Sequence, residues 1–488
     1  MTLTAGCTYT MTWDGTSQAS VDGSPTIFGT LSNVVTINGN GATVERADDM
    51  QYARFFYIAP GGRLNLNDLT LRRGTSRGDD GQDASPTGDS NAQGGLYSGL
   101  GGAIYNDGQL IADAVTFEGN SAIGGNGGCS QNGGTGGAGG AGLGGAIFST
   151  GLALDVARST FSGNVALGGS AGSYGCSTPH VTGAAGGGGG GMGGAGAYDD
   201  LSGSTGTGTN AGYGGGGGGA MFLVPNSGGD GGFGGGAGGN NASAGEFGTA
   251  AAVGGFAGGS GGGLGGAVFV ESVPSGGYAL LVNDSFSGNS AMGADSTKDG
   301  PNGGWGVGGA LFLHQGSVSM SGNTLAGNNA SGGDVTNPAN AQDGGSAKAA
   351  GIFVDSTASL VQSQTIVTSG VLLAGTTTNG NAGSTADPDI SGAIASQGYN
   401  LVTTRGSSSG YVGTDLADST PALLSGLGNH GGPTLTFEPL PGSAAIDAMP
   451  TGVCTLTQDQ RGYPRPFGGA CDIGSVEVSD IIFANGFD

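Results

Sequence analysis

Two short phrases recur down the middle of the chain, and together they restrict what it can fold into. The first is Gly101-Gly102-Ala103-Ile104, which returns at Gly144-Gly145-Ala146-Ile147, Gly218-Gly219-Ala220-Met221, Gly265-Gly266-Ala267-Val268 and Gly308-Gly309-Ala310-Leu311, with a degraded copy at Ala349-Ala350-Gly351-Ile352. The second is Phe117-Glu118-Gly119-Asn120, which returns at Phe161-Ser162-Gly163-Asn164, Phe286-Ser287-Gly288-Asn289 and, with leucine leading, Leu325-Ala326-Gly327-Asn328. Successive complete copies of the first phrase start 43, 74, 47 and 43 residues apart. Such self-similarity marks an array of like units and outranks the two or three globular domains that 488 residues would otherwise suggest. The second-phrase copy due after Met221 is replaced by a glycine-rich tract from Asn226 to Gly263.

Each unit supplies three short strands, for example Ala103 to Tyr105, Gln109 to Ala112 and Val115 to Phe117. One unit has too little apolar surface to fold alone, whereas stacked units share one core. Read as coils of a parallel β-helix about 4.8 Å apart, the units stack Phe117, Phe161, Phe286 and Leu325 into an internal ladder and Asn120, Asn164, Asn289 and Asn328 at one turn. Asparagine suits that turn because it tolerates a left-handed backbone and its amide can bond to the next coil. Upstream, Val34-Val35-Thr36-Ile37, Phe55-Phe56-Tyr57-Ile58 and the alternation Leu64, Leu66, Leu69, Leu71 read as further strands, with Asn67-Asp68 as a turn signal. Glycine supplies 116 of the 488 residues without a Gly-X-Y period, which excludes collagen and disfavours long helices.

The formal charge is −24, and the twelve basic residues are scattered: six from Arg46 to Arg77, then Arg158, Lys298, Lys348, Arg405, Arg461 and Arg465. A chain without a basic stripe cannot displace counterions from nucleic acid, so that partner is excluded. No run of about twenty apolar residues is present, so no spanning segment is expected. The first forty residues lack the charged start and apolar core of a leader, which reads either as a cytosolic chain or as one whose leader has been removed; the cysteines favour the second. Cys454 and Cys471 bracket a short loop, and Cys129 and Cys176 lie in matching insertions. Each pair is a candidate disulfide of an oxidising compartment, with free or buried thiols as the other reading and Cys7 left over.

The phrases resemble the Gly-Gly-Ala-Ile and Phe-x-x-Asn tandem motif of bacterial surface proteins of the polymorphic membrane protein type, and the resemblance implies a right-handed parallel β-helix. The tail phrases Gly428-Asn429-His430-Gly431-Gly432-Pro433-Thr434, Pro441 to Asp447, Asp459-Gln460-Arg461-Gly462 and Cys471-Asp472-Ile473-Gly474 resemble the end of secreted β-helix proteins of the choice-of-anchor Q type. The expected plan is an all-β, right-handed parallel β-helix: an N-terminal cap over 1–33, repeats with glycine-rich insertions on one edge over 34–402, an irregular C-terminal cap over 403–478 and a tail over 479–488. That tail, Ile481 to Asp488, resembles a short ending of secreted bacterial proteins and suggests a role in export or surface retention.

Insertions fall between the end of one unit and the next Gly-Gly-Ala: Thr75 to Leu100, Gly125 to Leu143, Gly168 to Gly217, Asn226 to Leu264, Gly293 to Val307 and Gly332 to Ala347. Insertions on one edge build a face. Their glycine runs read either as flexible linkers or as polyglycine-II-like strands packed side by side. The chemistry-bearing residues are sparse. Gly-x-Gly-x-x-Gly matches are expected by chance at this glycine content, and no Walker lysine follows. His180, His314 and His430 are scattered, with no zinc spacing. Asp79, Asp80 and Asp83, or Asp295 and Asp299, are weak candidates for a cation, calcium being the possible one and no other cofactor being expected. Asp113, Asp155 and Asp284 fall near like places before the Phe phrase and could line up as a carboxylate row. Two functional classes follow: a non-catalytic extracellular or cell-surface protein, adhesin-like or fibrous, that meets a glycan, surface, protein or second copy through its insertions, and a polysaccharide lyase or glycoside hydrolase. The first is favoured because the central coils lack the Lys or Arg base that a lyase needs.

Overall fold

A computed structural model describes residues 1–12, 26–50, 52–81, 83, 98–129, 136–172, 210–217, 229–238, 242–250, 259–296, 302–336, 343–378, 380–418 and 420–478. The described chain is all-β, with one single-turn 3₁₀ helix at Thr451–Val453. Its strands stack in sequence order into long parallel sheets of 15, 8, 6 and 6 strands, the architecture of a parallel β-helix. Among the described strands one pairing is antiparallel, Met449–Pro450 with Ala470–Cys471.

Each coil passes the same stations. In one, Ile147–Ser149 belongs to the eight-stranded sheet, Ala153–Ala157 and Thr160–Ser162 to the widest sheet, and Val165–Leu167 and Gly263–Leu264 to the two six-stranded sheets. The two stretches on the widest sheet are separated by a left-handed corner residue: Asp68, Ala114, Arg158, Asn283 and Gln364 have φ between 49° and 56°. The corner lets one strand turn without leaving its sheet, so Arg63–Arg72 runs straight through Asn67-Asp68 as one element. The two-residue strands Gly99–Leu100, Gly142–Leu143 and Gly263–Leu264 and the three-residue strand Thr75–Arg77 lie in stretches that the sequence reads as insertion, and Ser121–Ile123 and Val165–Leu167 are further strands just before an insertion. The insertions are therefore shorter than the sequence suggested, and each leaves the solenoid between the two six-stranded sheets.

The phrases have separate jobs. The first glycine of Gly-Gly-Ala is left-handed, with φ from 58° to 68° at Gly101, Gly144, Gly265 and Gly308, and the glycine before each ladder asparagine is left-handed too, from 59° to 65°. Glycine thus makes both turns, and the asparagine is free to bond between coils instead of adopting the left-handed backbone itself. Asn164 Oδ1 accepts from the backbone N of Asn120 (3.0 Å), and its Nδ2 donates to the Phe117 carbonyl (2.9 Å) and to Asn289 Oδ1 (2.8 Å). Asn120, Asn289 and Asn328 repeat the pattern up the turn. Inside, Phe117, Phe161 and Phe286 stack almost parallel, with ring centres 4.7 and 4.6 Å apart, and Leu325 takes the next place in register. These side chains are fully buried.

Two placements differ from the expected plan. Ile147–Ser149 pairs directly with Val268–Val270, so no coil intervenes. The Gly218 copy of the first phrase lies outside the described residues, and the strands on either side of the stretch 168–262 belong to directly paired coils. Residues 403–418 stack on the last coil, with Leu416–Ala417 paired to Leu401–Val402 and Ser409 bridged to Ala393, and the described chain beyond them runs back along the corner of the middle coils. Gln460 Nε2 donates to the Ser159 carbonyl (3.0 Å), Ser285 Oγ donates to Gln460 Oε1 (2.7 Å), the Ser475 N–H donates to Thr324 Oγ1 (2.9 Å) and Asn283 Nδ2 donates to the Gln458 carbonyl (2.9 Å).

If the ladders carry the stacking, Asn164→Ala should cost about 1–3 kcal/mol for each buried group left unpaired, and Phe161→Ala about 3–5 kcal/mol. Ser162→Ala, on the outward side of the same strand, should stay within about 0.5 kcal/mol. Urea unfolding of the three variants checks the order.

Candidate functional site

The insertions are built by backbone, and their hydrogen bonds recur every third residue. Gly78 and Gly81 donate to the carbonyls of Ile123 and Asn126, Gly124 and Gly127 to Leu167 and Ser170, Gly169 and Gly172 to Gly140 and Gly137, and Gly139 and Gly142 to Gly259 and Gly262. A three-residue period with bonds passing only between segments is the geometry of the extended left-handed polyproline-type helix. Of the two readings left open by composition, the described glycine runs take the packed one. A Cβ built on Gly139 would overlap the carbonyl oxygen of Gly169, and one on Gly124, Gly304 or Gly345 would overlap a carbonyl of the adjoining segment. Only glycine permits that approach.

The candidate cation ligands belong to this layer. Asp80 Oδ1 accepts from the Arg77 guanidinium (2.6 Å) and from the backbone N of Asn126 (2.8 Å), whose own Oδ1 accepts from Ser170 N (2.9 Å). Asp83 Oδ1 accepts from Cys129 N (2.8 Å), and Asp295 Oδ1 accepts from Asp334 N (2.8 Å). Asp79 adjoins Asp80 on the same segment, and Asp299 lies outside the described residues. These carboxylates act as rungs between coils, oxygen toward N–H, and among the described residues no group of three or more His, Cys, Asp or Glu side chains is arranged to hold a metal ion.

The carboxylate row dissolves on register. Asp155 lies opposite Ile111 and Leu280, whereas Asp113 lies opposite Ala157 and is held by the Arg158 guanidinium. Asp284 stands one step past the corner, in the place of Ser159, whose N–H donates to its Oδ1 (2.8 Å). It is fully buried, and burial pushes its carboxyl well above the usual range. The corner stands three residues before the ladder phenylalanine in each of these coils, whereas Asp113, Asp155 and Asp284 stand four, six and two residues before it, so they occupy three different positions.

A second aromatic ladder runs outside the solenoid. The residue after each described copy of the first phrase points outward, giving Tyr105, Phe148, Phe269, Phe312 and, after the degraded copy, Phe353, with Tyr57 in register beside Tyr105 and ring centres 4.6 to 5.5 Å apart along the row. Its signal was present in the sequence, as an aromatic immediately following the first phrase. The long insertion folds over it: Phe233 and Phe247 pack edge-on to Phe312 at 6.0 and 5.4 Å, and Phe247 also meets Phe353 and Trp305. At one border of this flap the residues following three successive strands, Glu271, His314 and Asp355, form a polar row. Asp355 Oδ2 lies 2.8 Å from His314 Nδ1, Glu271 Oε2 lies 4.0 Å from His314 Nε2, and Tyr213 of the flap donates to Glu271 Oε2 (2.6 Å). Burial raises the Glu271 carboxyl and pushes the Tyr213 hydroxyl well up. Linear spacing hides this cluster because its members on the solenoid are about forty residues apart.

In the C-terminal region Cys454 and Cys471 form a disulfide. Cys129 is also disulfide-bonded, Cys176 lies outside the described residues, and Cys7 is free and exposed. The tail motifs do the docking: Thr434 donates to the Arg158 carbonyl, Asp459 pairs with Arg461, and His430 Nδ1 lies 3.0 Å from the Thr436 carbonyl. His180 and the tail Ile481 to Asp488 fall outside the described residues. Asp472 accepts from the N–H groups of Asp447 and Val478, yet burial, the larger effect, raises its carboxyl from 3.8 to about 6.

Two outcomes follow. Gly139→Ala, which forces two backbones apart, should destabilise the protein more than Gly119→Ala, where nothing lies within 4 Å and only the left-handed backbone, worth about 1–2 kcal/mol, opposes the change. Because the folded-state value for Asp472 lies above its unfolded one, its stabilising contribution is complete below about pH 4 and is lost as pH rises through about 6. The urea midpoint should therefore fall between pH 4.5 and 7, to a smaller degree in Asp472→Asn.

No family model, curated protein or solved structure matches the chain. Of the resemblance drawn from the repeat and tail phrases, the structure supports the stacked parallel sheets of a β-solenoid.

Proposed function

We propose that this is a non-catalytic extracellular or cell-surface solenoid that meets its partner, a glycan or hydroxyl-rich surface, through the glycine layer. The observation that carries the reading is the layer itself: the insertions pack as closely spaced backbones, and their carboxylates are spent as inter-coil acceptors. Such a surface offers amide and carbonyl groups at fixed spacing and few side chains, which suits repeated hydroxyls better than a single small substrate. Self-association through the same layer is part of this reading. The net charge of −24 keeps a long, loop-rich molecule dispersed, and the Cys454–Cys471 disulfide fits an oxidising compartment.

Co-sedimentation with a panel of insoluble neutral and acidic polysaccharides, with and without calcium, tests the proposal, with product analysis on the same samples. The expected result is retention on at least one polymer without release of reducing or unsaturated ends, weakened in Gly139→Ala. Release of products that is abolished by Glu271→Gln would contradict it and make the carbohydrate-active reading the correct one.

A further inference from the structure

The solenoid is underfilled at its N-terminal end. The phenylalanine ladder stops at Phe117, which lies opposite Leu71, and the next step toward the N-terminus brings smaller residues into line: Leu64, Leu69 and Leu71 lie opposite Val35, Ala42 and Val44. The first coil does not make up the loss. Its strand Thr8–Met11 sets Tyr9 opposite Val44, and the hydroxyl of that tyrosine accepts from the Thr4 N–H (2.9 Å). What remains is a cavity of about 220 Å³, reaching from Leu3 and Tyr9 of the first coil to Leu69 and Leu71. Its floor belongs to the core, since Val44, Phe56, Leu69 and Leu71 are at most 4% exposed. Met1 and Phe28 at its rim are 73% and 37% exposed, so it opens to solvent on their side.

We propose that this cavity is a binding site for one saturated hydrocarbon chain of about eight carbons, carried by a small amphiphile such as a medium-chain alcohol or acid. The described lining has no charged side chain, and its one hydroxyl, on Tyr9, is already engaged. Water finds too few polar partners in such a space to occupy it. The walls forgo dispersion contacts that a guest restores, and each methylene that leaves water adds to the gain. Size sets the length: benzene occupies an apolar cavity of roughly 150 Å³, and a space about one and a half times as large holds a chain of about eight carbons. Met1 and Met11, both in the lining, are flexible thioethers that adjust to the guest, and the polar head stays at the open rim. The site is apart from the glycine layer and does not depend on the surface reading above.

Calorimetric titration of the full chain with 1-alkanols tests the proposal. 1-Octanol should bind one to one, and 1-hexanol about tenfold more weakly because two buried methylenes are lost. 1-Decanol should gain nothing over 1-octanol, since its further carbons stay in water. Val44→Leu refills the narrow step and should weaken 1-octanol about tenfold or more without lowering the thermal midpoint of the free protein. Leu71→Phe, which extends the ring ladder by one place, should do the same even if the first variant fails to fold. Uptake that does not saturate, affinity that keeps rising to 1-decanol, or unchanged binding in both variants would overturn the proposal. Flotation with phosphatidylcholine vesicles that 1-octanol competes away would also overturn it, by making a bilayer the source of the chain. A dimer that 1-octanol splits would do so by making a second copy the occupant.

Discussion

Everything in this molecule depends on the register between one coil and the next. A coil of this sequence cannot bury its own apolar face, so it is stable only where the following coil bonds to it. The backbone meets that requirement along four sheets at once, and side chains meet it at the turns. Asn120 to Asn328 carry one ladder, and Ser159, Asp284, Asn323, Thr365 and Asn400 carry another at the left-handed corner, each accepting from the backbone N–H of the coil before. Asp284 shows how strict the corner is: a fully buried carboxyl is tolerated there because the rung needs an acceptor.

The glycine insertions extend the same constraint sideways. A segment leaving the solenoid continues the hydrogen bonding of the sheet it leaves, as Gly124 does to Leu167 and Gly168 to Met292, and then exchanges bonds with returning segments in a second direction. Close packing of extended backbones replaces the side-chain core that glycine cannot provide. The long insertion adds apolar cover at a few points, Tyr213, Phe233 and Phe247, and these land on the outer ladder. A chain with so much glycine therefore keeps two apolar layers, one inside the coils and one between coils and flap.

The architecture was legible because its repeat is carried by residues with single structural meanings: glycine for the left-handed turns, asparagine for the inter-coil bond, phenylalanine for the interior. What was not legible has physical causes. Two-residue strands such as Gly142–Leu143 have no periodicity to detect, and they exist because neighbouring coils supply partners. The Gly218 copy matched the first phrase, yet Phe148 stands directly beside Phe269. The aspartates at 113, 155 and 284 look alike only loosely, because they stand four, six and two residues before the ladder phenylalanine and the pairing keeps those offsets. The cluster of Glu271, His314 and Asp355 needed the coil length itself to be recognised, and the lateral docking of Gln460 and Ser475 joins positions more than 150 residues apart, as between Thr324 and Ser475.

Function on this account follows from a rigid edge made of backbone. The central claim is that the glycine segments are as firmly bonded as the strands they leave. Amide hydrogen exchange followed by mass spectrometry tests it most directly, by comparing peptides spanning 136–142 and 259–264 with one spanning the strand Ala153–Ala157. The account predicts that the glycine peptides exchange as slowly as the strand; exchange at the rate of an unstructured peptide would contradict it.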